Sequence, residues 1–204
     1  MSSLYTMFDF SRCGKSDCEL FSVTGKEYCM HHVDNPEECG EDIRNYLRSS
    51  YMHKDLNFSC VTMEGEDFSS YNFTVCNFSN STFRNVDFSR CRLKICFFQF
   101  STFIDCNFSY SDIKYSVFAG STFSHCTFSH SDIVHSNFLG IQAHTCTFNN
   151  SDLYYSNFTS SYLRDVTFVD CNVKKADFLE STREGVSFKY SNYEEARFEQ
   201  DTTI

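Results

Sequence analysis

From Phe58 to Phe198 an inward-type residue recurs at every fifth position without one insertion or deletion. Of these 29 positions 19 are Phe, and Met63, Leu93, Ile113, Ile133, Ala143, Leu153, Leu163, Val173, Arg183 and Tyr193 fill the rest. A helix repeats every 3.6 residues and a flat strand every 2, so neither keeps residues five apart on one face. A short fixed period instead marks a stacked solenoid, in which each unit buries its apolar side against its neighbours.

A second position is also constrained. Two residues before each centre, from Cys76 to Ala196, stand twelve Ser, seven Cys, three Val, two Ala and one Ile, so a small side chain accompanies each large one. Asn, Asp or Thr dominates one residue before the centre, whereas the two positions after it show no restriction. Identity also recurs at twenty residues. Positions 58, 78, 98, 118, 138, 158, 178 and 198 are all Phe, as are 68, 88, 108, 128, 148, 168 and 188. Like therefore stacks on like once per four sides, which predicts a square coil. The exchange of sizes at Ile141 and Ala143 reads as volume conservation within one coil. Arg183 lies close enough to the end for its long side chain to reach water.

Units of the form Ser/Cys/Ala, then Asp/Asn/Thr, then Phe/Leu/Ile, such as Ser111-Asp112-Ile113 and Ser151-Asp152-Leu153, resemble the pentapeptide repeat family over about residues 56–200. The resemblance implies an all-β solenoid, a right-handed quadrilateral β-helix. At one strand spacing per coil, ~4.8 Å, about seven coils make a rod roughly 35 Å long.

The segment ahead of the repeats differs in composition, and the chain divides into a metal-binding module (1–34), a capping helix and linker (35–55), the β-helix (56–200) and a tail (201–204). Cys13, Cys18, Cys29 and His32 follow the spacing C-x4-C-x10-C-x2-H. Zinc takes four tetrahedral thiolate or imidazole ligands from two close pairs brought together by a turn. A structural zinc would give this coreless segment a reason to fold. His31 competes with His32, and Cys39 is an alternative ligand. Asn35-Pro36-Glu37-Glu38 reads as a helix start, with Asn at the cap and Pro in the first turn. Cys39, Ile43, Tyr46 and Leu47 form its apolar stripe, suited to covering the open end of the β-helix.

The net charge is −10, with six Lys/Arg and ten Asp/Glu in residues 1–55 and eleven and seventeen thereafter. This balance argues against direct nucleic-acid binding, which needs Lys and Arg on phosphates. The start of the chain lacks a basic segment followed by an apolar run, and no stretch approaches 18 apolar residues, so neither a signal peptide nor a membrane span is expected. Seven of the twelve cysteines occupy the small inward site, where they are read as buried thiols, and the expected compartment is the reducing cytoplasm.

With an apolar interior, function falls to outward positions. His125, His130 and His135 fall on different sides and do not converge. Asp112, Asp132 and Asp152, twenty apart, stack on one side, where they are expected to bond turn amides and share Lys114 and Lys174. Ile95, Tyr115, His135 and Tyr155, with Tyr154 beside them, and Phe97 and Phe100 elsewhere, are candidate partner-binding residues, since exposed apolar surface tends to mark an interface. No catalytic constellation is found. The sequence thus predicts a non-enzymatic protein-binding scaffold, with a protein partner or a second copy as occupant. The family resemblance also implies an alternative: relatives that protect or inhibit DNA gyrase present an acidic rod in place of duplex DNA.

Overall fold

The computed structural model describes residues 11–198. Seven coils of twenty residues stack into a four-sided rod. One side is a parallel sheet of five strands (Met52–Lys54, Asn72–Thr74, Arg92–Lys94, Asp112–Lys114, Asp132–Val134), extended by bridges through Asp152 and Asn172. The side two positions further round the square is a parallel sheet of seven strands, from Thr62–Glu64 to Thr182–Glu184. The other two sides are ladders of single bridges, for example Asn77↔Phe97 and Asp87↔Asn107. Every pairing has a register of twenty, such as Phe73↔Leu93 and Phe83↔Phe103.

Strand spacing fixes how the core packs. Phe98 and Phe118 stack with centroids 5.0 Å apart and planes 3° from parallel, and Phe128 and Phe148 lie at 4.6 Å and 1°. Isolated aromatic pairs prefer offset or edge-to-face contact. Here the backbone sets the stacked separation, and each column supplies edge contacts to the next, as in Phe128–Phe138 at 6.0 Å and 88°. Ile141 and Ala143 are both buried, so the exchanged sizes share one packed layer.

The small inward residues do more than leave room. Ser81 N–H donates to Ser101 Oγ at 3.1 Å, while Ser101 Oγ donates to Phe78 O at 3.0 Å. The same pair of bonds recurs with Ser111 on Phe88 O and Ser121 on Phe98 O. A buried carbonyl that the sheet ladder does not reach is thereby satisfied, which Ala could not do. Residues one before the centre form Asx turns, with Asn77 Oδ1 accepting from Ser79 N–H and Asp152 Oδ1 from Tyr154 N–H.

The second of the two positions after each centre, whose residue types vary, is nonetheless restricted in backbone conformation. At every fifth residue from Asp55 to Tyr190 the backbone has positive φ. Only Gly65, Gly120, Gly140 and Gly185 relieve this with glycine, and β-branched Val75, Ile95 and Thr145 are held there at φ 57°, 55° and 52°. The ladder imposes the conformation, because the corner N–H groups from Asp55 to Lys175 donate to the next coil, as Thr145 does to Arg164 O at 3.0 Å.

The N-terminal end is closed by α1 (Pro36–Arg48). Asn35 caps it, with Oδ1 accepting from Glu38 N–H and Nδ2 donating to Glu38 Oε2. Cys39, Ile43 and Leu47 are buried in one core with Leu56, Phe58 and Met63. Tyr46, expected in this stripe, is half exposed and meets Phe58 only edge-on at 5.9 Å. Arg48 forms a two-pronged pair with the buried Glu66, at 2.7 and 3.1 Å. The first rung lies at Met52–Lys54, inside the segment assigned to the linker, because its inward residue is His53 instead of an apolar one. His53 stacks on Phe73 at 5.2 Å, and its Nε2 donates to Ser50 O at 2.8 Å and Leu47 O at 3.1 Å, capping the helix end. At the other end Arg183 is exposed, with its guanidinium 4.8 Å above the Phe198 ring.

Two outcomes follow. Asn tolerates positive φ far better than a β-branched residue, so Thr145→Asn should raise stability by about 0.5–1 kcal/mol, read as a melting temperature ~2–4 °C higher. Burial lowers the pKa of His53, outweighing the two carbonyls that favour its charged form. Above pH ~6.5 the residue is neutral folded and unfolded; as pH falls below that, only the unfolded chain takes the proton, so stability declines by at most ~1.4 kcal/mol per pH unit until the lowered folded pKa is reached. Melting curves between pH 7 and 5 should show this component in the native chain and lose it in His53→Phe.

Candidate functional site

Two regions carry the residues singled out by the sequence. The first is the N-terminal module. An Arg12↔Phe21 bridge and the Cys13 N–H to Leu20 O bond at 2.9 Å close a loop that presents Cys13 and Cys18. A turn at Gly25, where φ is +79°, returns the chain so that Gly14 N–H reaches Glu27 O at 3.0 Å. Cys29 and His32 then lie on one short turn closed by His32 N–H to Cys29 O at 2.8 Å.

The ligand atoms of Cys13, Cys18, Cys29 and His32 all lie within 4.8 Å of one another. His32 Nδ1 is 3.4 Å from both Cys13 Sγ and Cys29 Sγ, and Cys18 Sγ is 4.0 Å from Cys29 Sγ. Zn–S bonds of ~2.3 Å place tetrahedral sulfurs ~3.8 Å apart, so the spacing suits a single four-coordinate ion. Burial opposes a charge on Cys13, but the Cys29 and Lys15 amides, His32 and Cys29 outweigh it and hold the thiol at about 6. Burial and the neighbouring thiols push Cys29 up to about 11. Two close thiols thus resist losing both protons, a resistance that a central dication removes. The four residues could hold a metal with no open position for water. His31 instead lines a cleft beside α1 with Arg44, Cys60 and Glu64, and Cys39 is buried on the inner face of α1. Neither joins the four.

The module is fastened to the first coil. Thr24 N–H donates to Asn57 O at 3.0 Å, Asn57 N–H to Thr24 Oγ1 at 2.7 Å, and Asn57 Nδ2 to Ser22 O at 2.7 Å. Sequence reasoning missed this seam. Its signal lies in the small inward slots of the first coil, which hold Leu56, Val61, Glu66 and Tyr71 where later coils hold mainly Ser and Cys.

The second region is the rod surface. Ile95, Tyr115, His135 and Tyr155 occupy one corner in successive coils. Tyr115 and His135 stack at 5.3 Å, His135 and Tyr155 at 5.1 Å, and Lys175 Nζ donates to Tyr155 OH at 3.1 Å. Tyr154 meets Tyr155 edge-on at 4.8 Å but sits on the adjoining five-stranded side. Phe97 lies on the bridge-ladder side centred on Phe78, Phe98, Phe118, Phe138 and Phe158, which this corner borders, and Phe100 occupies the other corner of that side, so the two candidate groups border one side. This side runs from residues 75–80 to 155–160 through five coils without a single Asp, Glu, Lys or Arg. Val117, Ala119 and Leu139 line its middle, and Phe100, Tyr115 and Tyr155 are 67%, 54% and 46% exposed.

The aspartates stack as expected, but their partners differ. Lys114 Nζ bridges Asp112 at 3.0 Å and Asp132 at 2.7 Å, whereas Lys174 turns to Glu195. Asp152 accepts from Asn172 Nδ2 and Tyr154 N–H. His125, His130 and His135 occupy three different corners. Among the described residues no helix is long and apolar enough to cross a membrane.

Comparison with known proteins agrees with this geometry. Residues 57–99 and 101–140 match the model of pentapeptide repeats, and residues 121–198 match that of the pentapeptide repeat region. The chain belongs to the pentapeptide repeat family. No curated protein matches it in sequence. Among solved structures it is similar to HetL, a pentapeptide repeat protein involved in heterocyst differentiation regulation from the cyanobacterium Nostoc, at 11% identity over 81% of this chain and 98% of that one, with a TM-score of 0.36. It is also similar to QnrB1, a plasmid-mediated fluoroquinolone resistance protein, at 25% identity over 72% and 79%, TM-score 0.35. A pentapeptide repeat protein of the Arabidopsis thaliana thylakoid lumen is 20% identical over 52% and 70%, TM-score 0.39.

Proposed function

We propose that this chain is a non-enzymatic, cytoplasmic scaffold that binds a protein through one side of its rod, with a zinc-stapled N-terminal cap holding the rod closed. The uncharged side carries the reading. Fully desolvated interface centres are depleted of charge and enriched in aromatic residues, and five consecutive coils of a −10 protein have that composition on one side. A core filled by stacked rings leaves no interior for a substrate, and its stiffness means that little order has to be gained on binding. The zinc acts structurally: four protein ligands fill its coordination and tie the two turns together. Duplex mimicry toward gyrase has less support, since Lys114 and Arg92 interrupt the stacked carboxylates. A supercoiling assay tests it directly.

Two measurements bear on the main reading. Ala119→Lys sets a charge at the middle of the uncharged side without touching the core; capture of protein partners from the native host should drop at least tenfold, and undiminished capture would remove the assignment. Metal analysis of the intact chain should give one equivalent of zinc. Cys29→Ser should lose it and lower the melting temperature, whereas under about half an equivalent in the native chain would reject the staple.

A further inference from the structure

The N-terminal end of the rod carries a sheet edge that nothing among the described residues closes. Thr82 N–H donates to Val61 O and Gly65 N–H to Arg84 O, both at 2.9 Å, so the next coil takes up the polar groups of Val61, Met63 and Gly65. The amides and carbonyls of Thr62 and Glu64 therefore point the other way, where this sheet has no earlier strand. Among the described residues no hydrogen bond reaches them. Neighbouring edges differ. Met52 N–H is held by Ser50 Oγ at 3.1 Å, and Asn57 pairs with Thr24 through both its amide and its carbonyl.

The open edge borders a cleft of about 880 Å³, walled on its other side by Pro36, Glu37, Gly40 and Arg44 of α1. Gly40 lies inside the helix, and a Cβ added to it would meet only the Arg44 guanidinium, at an ordinary 3.6 Å. Glycine weakens a helix interior relative to alanine, so packing within the chain does not account for it. A wall without a side chain, across from unpaired backbone, suits the close approach of another chain.

Charge narrows what that chain can be. Arg44 is held by Glu41 in a two-pronged pair, and Glu66 is held by Arg48. Among the described residues Glu37 and Glu64 have no ion-pair partner, and Arg84, beside Glu64 in the ladder, forms none with it. Two uncompensated carboxylates thus line the cleft of a chain whose net charge is −10. We propose that the strand Thr62–Glu64 is a docking edge for an extended, basic segment of a partner protein, which adds a strand in the cleft beside α1. Main-chain bonds to Thr62 and Glu64 supply the pairing, and outward residues at alternate positions bring Lys or Arg beside Glu64. The segment must be extended because the edge offers its groups in strand register. It must lack Pro where it pairs, and an acidic segment would set like charges side by side. This surface lies at the cap, apart from the uncharged side of the rod, and neither reading depends on the other.

The probe is the synthetic peptide Ac-Lys-Val-Lys-Val-Lys-NH2, with Ac-Glu-Val-Glu-Val-Glu-NH2 as its acidic counterpart, each titrated into the intact chain. The basic peptide should saturate below about 1 mM and slow hydrogen exchange of the Thr62 and Glu64 amides at least tenfold by NMR; the acidic one should do neither. Gly40→Leu fills the wall and should weaken binding at least tenfold without lowering the melting temperature, since leucine favours a helix. Glu64→Lys should weaken it at least tenfold as well. A basic peptide that does not saturate by about 1 mM overturns the docking edge. Binding that leaves both amides unprotected puts the peptide elsewhere on the acidic surface and overturns the strand pairing. Binding indifferent to Gly40→Leu overturns the cleft as the place, and equal affinity for the acidic peptide overturns the basic character of the partner.

Discussion

The separation of adjacent strands governs this molecule. Because each coil closes in twenty residues, every side chain sits about 4.8 Å from its counterpart above and below. Phe columns accept that distance as parallel ring stacks, and neighbouring columns meet them edge-on. The same distance lets one serine tie two coils together, its Oγ accepting from an amide and donating to a carbonyl of the coil before it. Any insertion in a side would break both systems together, which accounts for a repeat kept in phase over 29 units.

A stack of this kind leaves two problems, its corners and its ends. The corners are solved by force: the ladder holds ordinary residues at positive φ and pays in local strain, glycine being used at only four of them. The N-terminal end is solved by an added structure. Helix α1 covers the first coil with Ile43 and Leu47, His53 and Glu66 provide polar contacts to its C-terminal turn, and the Cys/His module is bonded to Asn57. Each polar contact replaces a pairing that another coil would have supplied.

Solving stability internally frees the outside to vary. Asp112 and Asp132 of the five-stranded side are paired with Arg92 and Lys114 where they stand, whereas the adjoining ladder side carries no charge to pair over five coils. That contrast between adjacent sides of one uniform rod is where a partner can be discriminated, since burying a surface costs least where nothing ionised must be stripped of water.

Much of this was legible in the chain itself. Period five fixed the solenoid, period twenty its four sides, and the spacing of Cys13, Cys18, Cys29 and His32 their convergence, because each depends only on residues recurring at set intervals. Asn35 and Pro36 marked the start of α1 for a similarly local reason. What the sequence could not convey was decided by contacts between distant segments. The positive φ of Thr145 comes from a bond to the next coil, and the choice of His32 over His31 comes from how one turn is oriented against another. The placing of Tyr115 and Phe100 on the two borders of one side depends on how the coil closes, and on no single repeat.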